Sequence, residues 1–549
     1  MLKSLLSLFR GSPADSGDPE TVRTQKHIVT DQSPQQLFEQ AGNLFDRGDS
    51  VTALDQYLQT VKLDPSFYKA HVMAGFIYKD RGNLSQAKQH LQTAIKIVPH
   101  LADAHYLLGA IAAIENQEEL MRSHFAASLA HDPQQEQIYR EFSFAEFQLG
   151  RPLEAIAIAQ QGLTYFPENL PLLQYLGNFY LYSKHYEEAS QTYRKALQQE
   201  PNSVDLLYNL AICCTILLRY AEGQEALQKI LAIDPNHVMA HFERGILLLQ
   251  QGDYAQGWKD FEWRWSTPHL KQVKFKTTQA KWDGSQDLNG KTILILSEQG
   301  YGDTIQFCRF IPQLKSRGAI VHFVVLKPLI ELMQQVPGVD RLFDEQEALP
   351  PYDYYCELMS LPFALQSTLE NLPAPDHYLS APVASVQAWQ TRFDDSRSRR
   401  VGIVWSGNPS HTNNHLRSIP LEIIQPLFSQ EFEFVVLQKE LSGDERRLIQ
   451  QYPNLKFFGE QVGGFADTAA LIELVDVVIT VDTSVAHLAG AMGKKTWVLV
   501  SHHSDWRWLL EREDSPWYPS VRLFRQQYGE SWAVVVDKLA QQLLVLEQD

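Results

Sequence analysis

Residues 201–235 read PNSVDLLYNLAICCTILLRYAEGQEALQKILAIDP, a stretch bounded by two prolines 34 positions apart. The same 34-residue interval separates Pro65, Pro99, Pro133, Pro167, Pro201 and Pro235 in turn. A fixed period of this size marks stacked supersecondary units. Aligned on these prolines, one register holds the small residues Ala41, Gly75, Gly109, Gly177, Ala211 and Gly245. A second, twelve residues before the prolines, holds Ala53, Ala87, Ala155 and Ala189, which lets paired helices approach closely. Tyr57, Leu91, Phe125, Tyr193 and Leu227 recur four residues later, on the same face of a 3.6-residue helix. Each block predicts helix, turn, helix. Asp64-Pro65, Asp132-Pro133 and Asp234-Pro235 end the second helices, since a residue before proline is pushed out of the helical region.

Seven such blocks, from about residue 34 to 268, resemble the tetratricopeptide repeat, a helical hairpin that stacks into a right-handed superhelix. The resemblance implies a groove for a protein or peptide, with Phe38, Tyr106, Tyr208 and Phe242 on its inner face. These aromatics are not the asparagine ladder of eukaryotic-type O-linked N-acetylglucosamine transferases. The seventh block departs from the pattern in Gly257-Trp258 and Phe261-Glu262-Trp263-Arg264-Trp265, and its Pro268 comes one place early. That suits a capping repeat docked onto something else; an ordinary buried cap is the alternative.

A different pattern follows. Residues 269–289 lack periodicity and are expected to be a linker against the next domain. Ile293 to Leu296 and Val321 to Leu326 read as buried parallel strands, with helices from Thr304 to Leu314 and Pro328 to Val336. After the polar DDSRSRR at 394–400, Val401 to Trp405, Phe434 to Leu437, Asp476 to Val481 and Thr496 to Val500 begin a second α/β set. The expected domains are a flexible segment 1–33, repeats 34–268, linker 269–289, and two Rossmann-like domains at 290–395 and 396–549. The helix from Trp532 to Leu546 is expected to cross back and brace the first of these.

Composition narrows the function classes. The chain of 549 residues carries 48 Lys and Arg against 65 Asp and Glu, a formal charge of -17, which disfavours nucleic acid and anionic lipid as partners. Its four cysteines, Cys213, Cys214, Cys308 and Cys356, show neither CxxC nor zinc spacing. No apolar run approaches a membrane span, and MLKSLLSLFR is too short for a secretory signal, so a cytoplasmic location is expected.

Three strand-to-helix junctions carry the candidate chemistry. The first is Ser297-Glu298-Gln299-Gly300-Tyr301-Gly302-Asp303-Thr304, a turn through Gln299, Gly300 and Gly302 whose glycines let backbone approach a ligand beside Asp303. It is not a dinucleotide fingerprint, because Ile305 stands where the third glycine of GxGxxG belongs. Asp303 is a candidate base, with an N-cap role as the alternative. The second is Val481-Asp482-Thr483-Ser484-Val485-Ala486-His487, where a helix N-terminus and two hydroxyls suit phosphate; a capped helix with a satisfied core histidine is the alternative. The third is Trp405-Ser406-Gly407-Asn408 with Arg417, a donor-rich loop that by itself is no more than a solvated loop.

Together EQGYGD at 298–303 and VDTSVAHLAGAMGKKTWVLV at 481–500 resemble the heptosyltransferase-related glycosyltransferase family 9, with its two-domain GT-B fold. FEWRW, VWSGNP, RSIP, LQKE and DWRWLLEREDSPWYP resemble bacterial proteins in which tetratricopeptide repeats precede such a module. The fold class implied is multidomain: an all-α superhelix, then an α/β GT-B module. The resemblance implies Asp303 as catalytic base and Ser406, Gly407, Asn408, Arg417, Asp482, Thr483, Ser484 and His487 as donor-diphosphate positions. Lys439 and Glu440 are implied nucleotide contacts. The short first domain, and Arg417 near where heptosyltransferases often use lysine, are departures. The chain has no DxD pair, so an inverting, metal-independent transfer from a nucleoside-diphosphate sugar is expected, with no cofactor and with the repeats recruiting a protein. The alternatives are a non-catalytic scaffold with a degenerate nucleotide-sugar module, or a sugar-nucleotide epimerase or hydrolase.

Overall fold

The computed structural model describes residues 32–549 apart from 273–274, 299, 394–398, 410–413, 430–431 and 549. Its described residues divide into two compact units, one ending at Pro167 and one beginning at Glu168. The first unit holds four helical hairpins, running from Pro34–Asp46 to Pro152–Tyr165. Its close packing follows from the small-residue register. A Cβ on Gly75 would lie 2.6 Å from Leu91 Cγ, and one on Gly109 would lie 2.7 Å from Phe125 Cδ1.

The second unit begins with three further hairpins, Leu170–Tyr182 with Tyr186–Gln199, Val204–Ile216 with Tyr220–Ile233, and Val238–Gln251 with the short Tyr254–Phe261. The boundary between units therefore falls inside the repeats, and the last three hairpins belong with the α/β region. Leu249, Tyr254, Trp258 and Phe261 join the same hydrophobic core as both sheets.

The first sheet comprises β1 (Ala280–Lys281), β2 (Thr292–Leu296), β3 (Ile320–Val325), β4 (Arg341–Asp344) and β5 (Tyr354–Glu357), in the order β1-β5-β2-β3-β4. The second comprises β6 (Arg400–Val404), β7 (Glu433–Val436), β8 (Leu455–Phe457), β9 (Val477–Val481), β10 (Thr496–Val500) and β11 (Val521–Arg525), in the order β11-β10-β9-β6-β7-β8. All strand pairs in both sheets are parallel. Counted from its own first strand, the second sheet has the doubly wound order 3-2-1-4-5-6. In such sheets ligands bind where the order reverses, beyond the carboxyl ends of the strands. The reversal falls between β6 and β9 here, and between β2 and β5 in the first sheet.

Two expectations need correction. Residues 269–289 are not simply a linker, because Ala280–Lys281 pairs with β5 and Trp282 is fully buried. The C-terminal helix Trp532–Gln548 does not brace the first α/β set. It lies against Leu421–Ile424 and β11 of the second, burying Val535, Val536, Leu539 and Leu543. Among the described residues, no helix is long and apolar enough to cross a membrane.

Candidate functional site

At the first reversal, beyond β2, the chain passes through Ser297 and Glu298 into the helix Tyr301–Phe307. Gln299 lies outside the described residues. The Gly300 N–H donates to Asp303 Oδ2 at 2.9 Å, so Asp303 does serve the helix start. Its other oxygen accepts from Arg507 Nη2, from the loop beyond β10. Arg264, from the terminal repeat, fills the crevice itself. Its Nε and Nη2 donate to Glu298 at 3.1 and 2.9 Å, Nη2 also to Ser360 Oγ at 2.8 Å, and Nη1 to Glu262 at 2.6 Å. Lys281 Nζ closes the network on Glu262 and Glu357, each at 2.8 Å. Burial raises the Glu298 carboxyl against the opposing pull of Arg264. Glu262 is only partly exposed, and against the upward push of its burial Arg264 and Lys281 bring it down to about 2. Tyr254, Trp258 and Phe261 of the last hairpin thus form a docking cap, with Phe261 6.1 Å from the Trp506 ring, whereas Trp263 stacks on His241 of the repeats. Trp258 packs edge-on against Phe307 and Trp506, and Tyr254 Oη accepts from Trp517 Nε1 at 2.9 Å.

At the second reversal, Gln438 Oε1 accepts from the Trp405 and Ser406 amides at 2.9 and 3.2 Å, fixing the start of the loop after β6. The Gly407 amide donates to Ser418 Oγ at 3.2 Å, and a Cβ on Gly407 would lie 2.8 Å from Arg417 Nη2. Arg417 Nη1 donates to the Asp482 carbonyl at 2.8 Å, tying this loop to the end of β9, while its Nε is buried without a hydrogen-bond partner. Asn408 is exposed beside them. Thr483 is the N-cap of Ser484–Ala491, but its hydroxyl lies 3.2 Å from Thr480 Oγ1 and does not cap. The first amides of a helix have no intrahelical acceptor, so the Ser484 end presents donors and positive dipole to this crevice. Lys439 and Glu440 are exposed beyond β7, one strand away from the reversal.

The two junctions meet at Gly302. A Cβ there would lie 2.9 Å from His487 Cδ2 and 3.4 Å from Ser484 Cα. His487 is buried, stacks on Trp508 with ring centroids 5.4 Å apart, and places Nδ1 2.9 Å from Tyr518 Oη. Burial and the nearby Arg507 push it down to about 3, so it is a neutral, partnered core histidine. Its Nε2 is 4.0 Å from Asp482 Oδ1. Burial and the Asp505 charge push Asp482 up to about 6, against Arg417 and Arg507. Thus Asp303, Gly302, Asp482, Thr483, Ser484, His487, Arg417 and Gly407 are brought into one neighbourhood, and Gln438 Nε2 links the Ser406 hydroxyl at 3.4 Å to the Glu440 carbonyl at 3.5 Å, with Lys439 next to it in the chain. Sequence reasoning missed Arg507, Asp505 and Gln306. From sequence the Ser504-Asp505-Trp506-Arg507-Trp508 stretch reads either as a loop that touches base or sugar or as aromatic packing, and the arginine between the tryptophans is the available signal. Cavities of about 350 and 200 Å³ lie elsewhere, one beside Asp283 to Ser285 and Phe363 to Gln366, the other among Leu197, Leu207 and Ala226.

Family models match the hairpins: a TPR repeat at residues 75–113, and tetratricopeptide repeats at 170–213 and 226–259. The helical hairpins are tetratricopeptide repeats. Protein FlbA of Caulobacter vibrioides is 24% identical over 498 residues, 86% of this chain and 83% of its own. Type IV pilus assembly protein PilF of Pseudomonas aeruginosa is 28% identical over 208 residues, covering 37% of this chain and 69% of its own. The human protein O-mannosyl-transferase TMTC3 is 26% identical over 210 residues, 37% of this chain and 20% of its own. Tetratricopeptide hairpins support protein or peptide binding. The inner-face aromatics are partly committed already, since Tyr106 donates to Glu141 at 2.7 Å and Tyr208 to Glu243 at 3.3 Å.

Proposed function

We propose that the α/β region is a GT-B glycosyltransferase, related to family 9, that moves a sugar from a nucleoside-diphosphate donor to a hydroxyl of a protein recruited by the repeats. The observation that carries this reading is the reversal between β6 and β9. Arg417, whose Nη1 ties the loop after β6 to the Asp482 carbonyl, and the Ser484 helix end lie together there, a cation and a helix N-terminus of the kind that suits a diphosphate. Ser406, Gly407, Asn408, Asp482, Thr483 and His487 line or support it. Lys439 and Glu440 reach toward the nucleotide only if the donor extends over β7. The distant similarity to a protein O-mannosyl-transferase adds support for a protein acceptor, limited by the 20% of that relative which is covered.

In the reaction, the acceptor oxygen attacks the anomeric carbon while the bond from that carbon to the diphosphate breaks. The hydroxyl proton passes to Asp303, and Arg417 with the helix end offsets the charge growing on the leaving diphosphate. Asp303→Asn keeps the hydrogen bond at the helix start and removes the base. It is expected to bind donor as wild type does and to lose at least about a hundredfold in kcat. Unchanged turnover would discard the assignment.

A second reading, a non-catalytic scaffold, draws on a specific observation. Arg264 occupies the first crevice and Arg507 engages Asp303, so the acceptor side is filled by the protein's own cations. Thermal-shift screening with ADP-, GDP-, UDP- and CDP-sugars, followed by an assay for released nucleoside diphosphate, separates the readings. Binding without release supports the scaffold.

A further inference from the structure

Arg507 makes a four-point contact that no packing role requires. Its Nη2 donates to Asp303 Oδ1 and its Nε to Gln306 Oε1 at 2.6 Å, so the guanidinium straddles two residues three apart on the helix Tyr301–Phe307. On its own side, Asp505 Oδ1 accepts both Arg507 Nη1 at 2.8 Å and the Arg507 amide at 3.0 Å. Trp506 covers the cation, with 4.3 Å from Cζ to the ring centroid. Arg507 is 8% exposed. A fork held this way at one end and applied to a carboxylate at the other is a positioning device.

We infer that Arg507 is the positioning residue of the proposed transfer: reaching from the second sheet's β10 loop, it orients the Asp303 carboxylate and keeps it ionised for the acceptor proton. The inference rests on the transferase reading above. With Oδ2 held by Gly300 and Oδ1 by Arg507, the plane of the carboxylate is fixed in direction. The arginine takes no proton itself. The surrounding charges are Asp505 and Asp482 on the acidic side and Arg309 and Arg417 on the basic side, with His487 neutral between them. Asp505 balances Arg507, so the net field at Asp303 depends on the direct hydrogen bond rather than on an excess of positive charge.

The test compares wild type, Arg507→Gln and Arg507→Lys as full chains. It measures release of nucleoside diphosphate from UDP-N-acetylglucosamine, GDP-mannose, ADP-glucose and CDP-glucose with water as acceptor, between pH 4 and 9, alongside melting temperature. The expected result is a kcat at least about tenfold lower in Arg507→Gln, donor KM within about twofold, and the acid limb of kcat/KM moved up by about one pH unit, because the ionised carboxylate has lost its charge-assisted hydrogen bond. Arg507→Lys should restore the limb and part of kcat. A drop in melting temperature with no shift of the limb would overturn positioning in favour of plain structure. Release that is unchanged in Arg507→Gln would overturn it as well. Wild type that neither binds nor cleaves any donor would instead sink the transferase reading, and the two failures are told apart by which protein fails.

Discussion

The two chain reversals share one topology and are filled differently. Between β2 and β5, Arg264 is fully buried and bound to Glu298, Glu262 and Ser360, so the crevice where a ligand would sit is closed by the protein's terminal repeat. Between β6 and β9, Arg417 is only partly buried, holds one backbone carbonyl, and keeps its Nε unmatched beside a helix N-terminus. An arginine satisfied on every side is an anchor, and one that holds a single carbonyl is less committed to the fold. Fold class alone does not distinguish the two crevices; the hydrogen-bond count does.

The sharpest way to break the comparison is to remove the anchor. Arg264→Ala leaves Glu298 and Glu262 facing each other in the core, and losing one partner of a buried ion pair typically costs about 3 to 5 kcal/mol. Chemical denaturation should show that loss, and a variant as stable as wild type would mean that the crevice is not closed by Arg264. The same network predicts that the α/β region expressed without residues 170–268 will not fold alone. Next in size is Gly302→Val, which places a side chain where His487 already lies within 2.9 Å of a Cβ. Overpacking of this kind costs about 1 to 3 kcal/mol.

Smaller effects come from pH. Asp482, raised to about 6, contributes stability that is fully present below its unfolded pKa and is lost as pH rises through 6. His487, lowered to about 3, contributes in the opposite sense. The unfolded state binds the extra proton, so stability is lost as pH falls from about 6.5 toward 3. The two slopes oppose each other between pH 4 and 6. Relative to wild type, Asp482→Asn should gain stability as pH rises across that window, and His487→Gln should lose it. Parallel curves for all three proteins would contradict both assignments.

Much of this was legible in the sequence where a physical period repeats. The glycine register predicted the close helix contacts, and each predicted apolar run is a strand. What stayed hidden has specific causes. β5 (YYCE) and β11 (VRLFR) mix polar with apolar residues and so lack a continuous apolar run. β1 is two residues long. Gly302 reads as a glycine near a ligand, and its neighbour is the His487 ring, 185 positions away in a segment whose packing no local pattern announces. Arg264, Gln306 and Arg507 acquire their roles only from each other's positions in space. Repeats are read from local spacing, whereas a site built by several loops is a convergence of distant segments.

The central claim is that the crevice between β6 and β9 holds a nucleoside diphosphate through Arg417. Calorimetric titration of ADP, GDP, UDP and CDP into wild type and Arg417→Ala tests it directly. The account predicts saturable binding of at least one nucleotide by wild type, weakened about tenfold to a hundredfold in Arg417→Ala through loss of a charge-assisted contact, with little change in melting temperature. Equal affinity in both proteins, or no binding of any of the four to wild type, would contradict it.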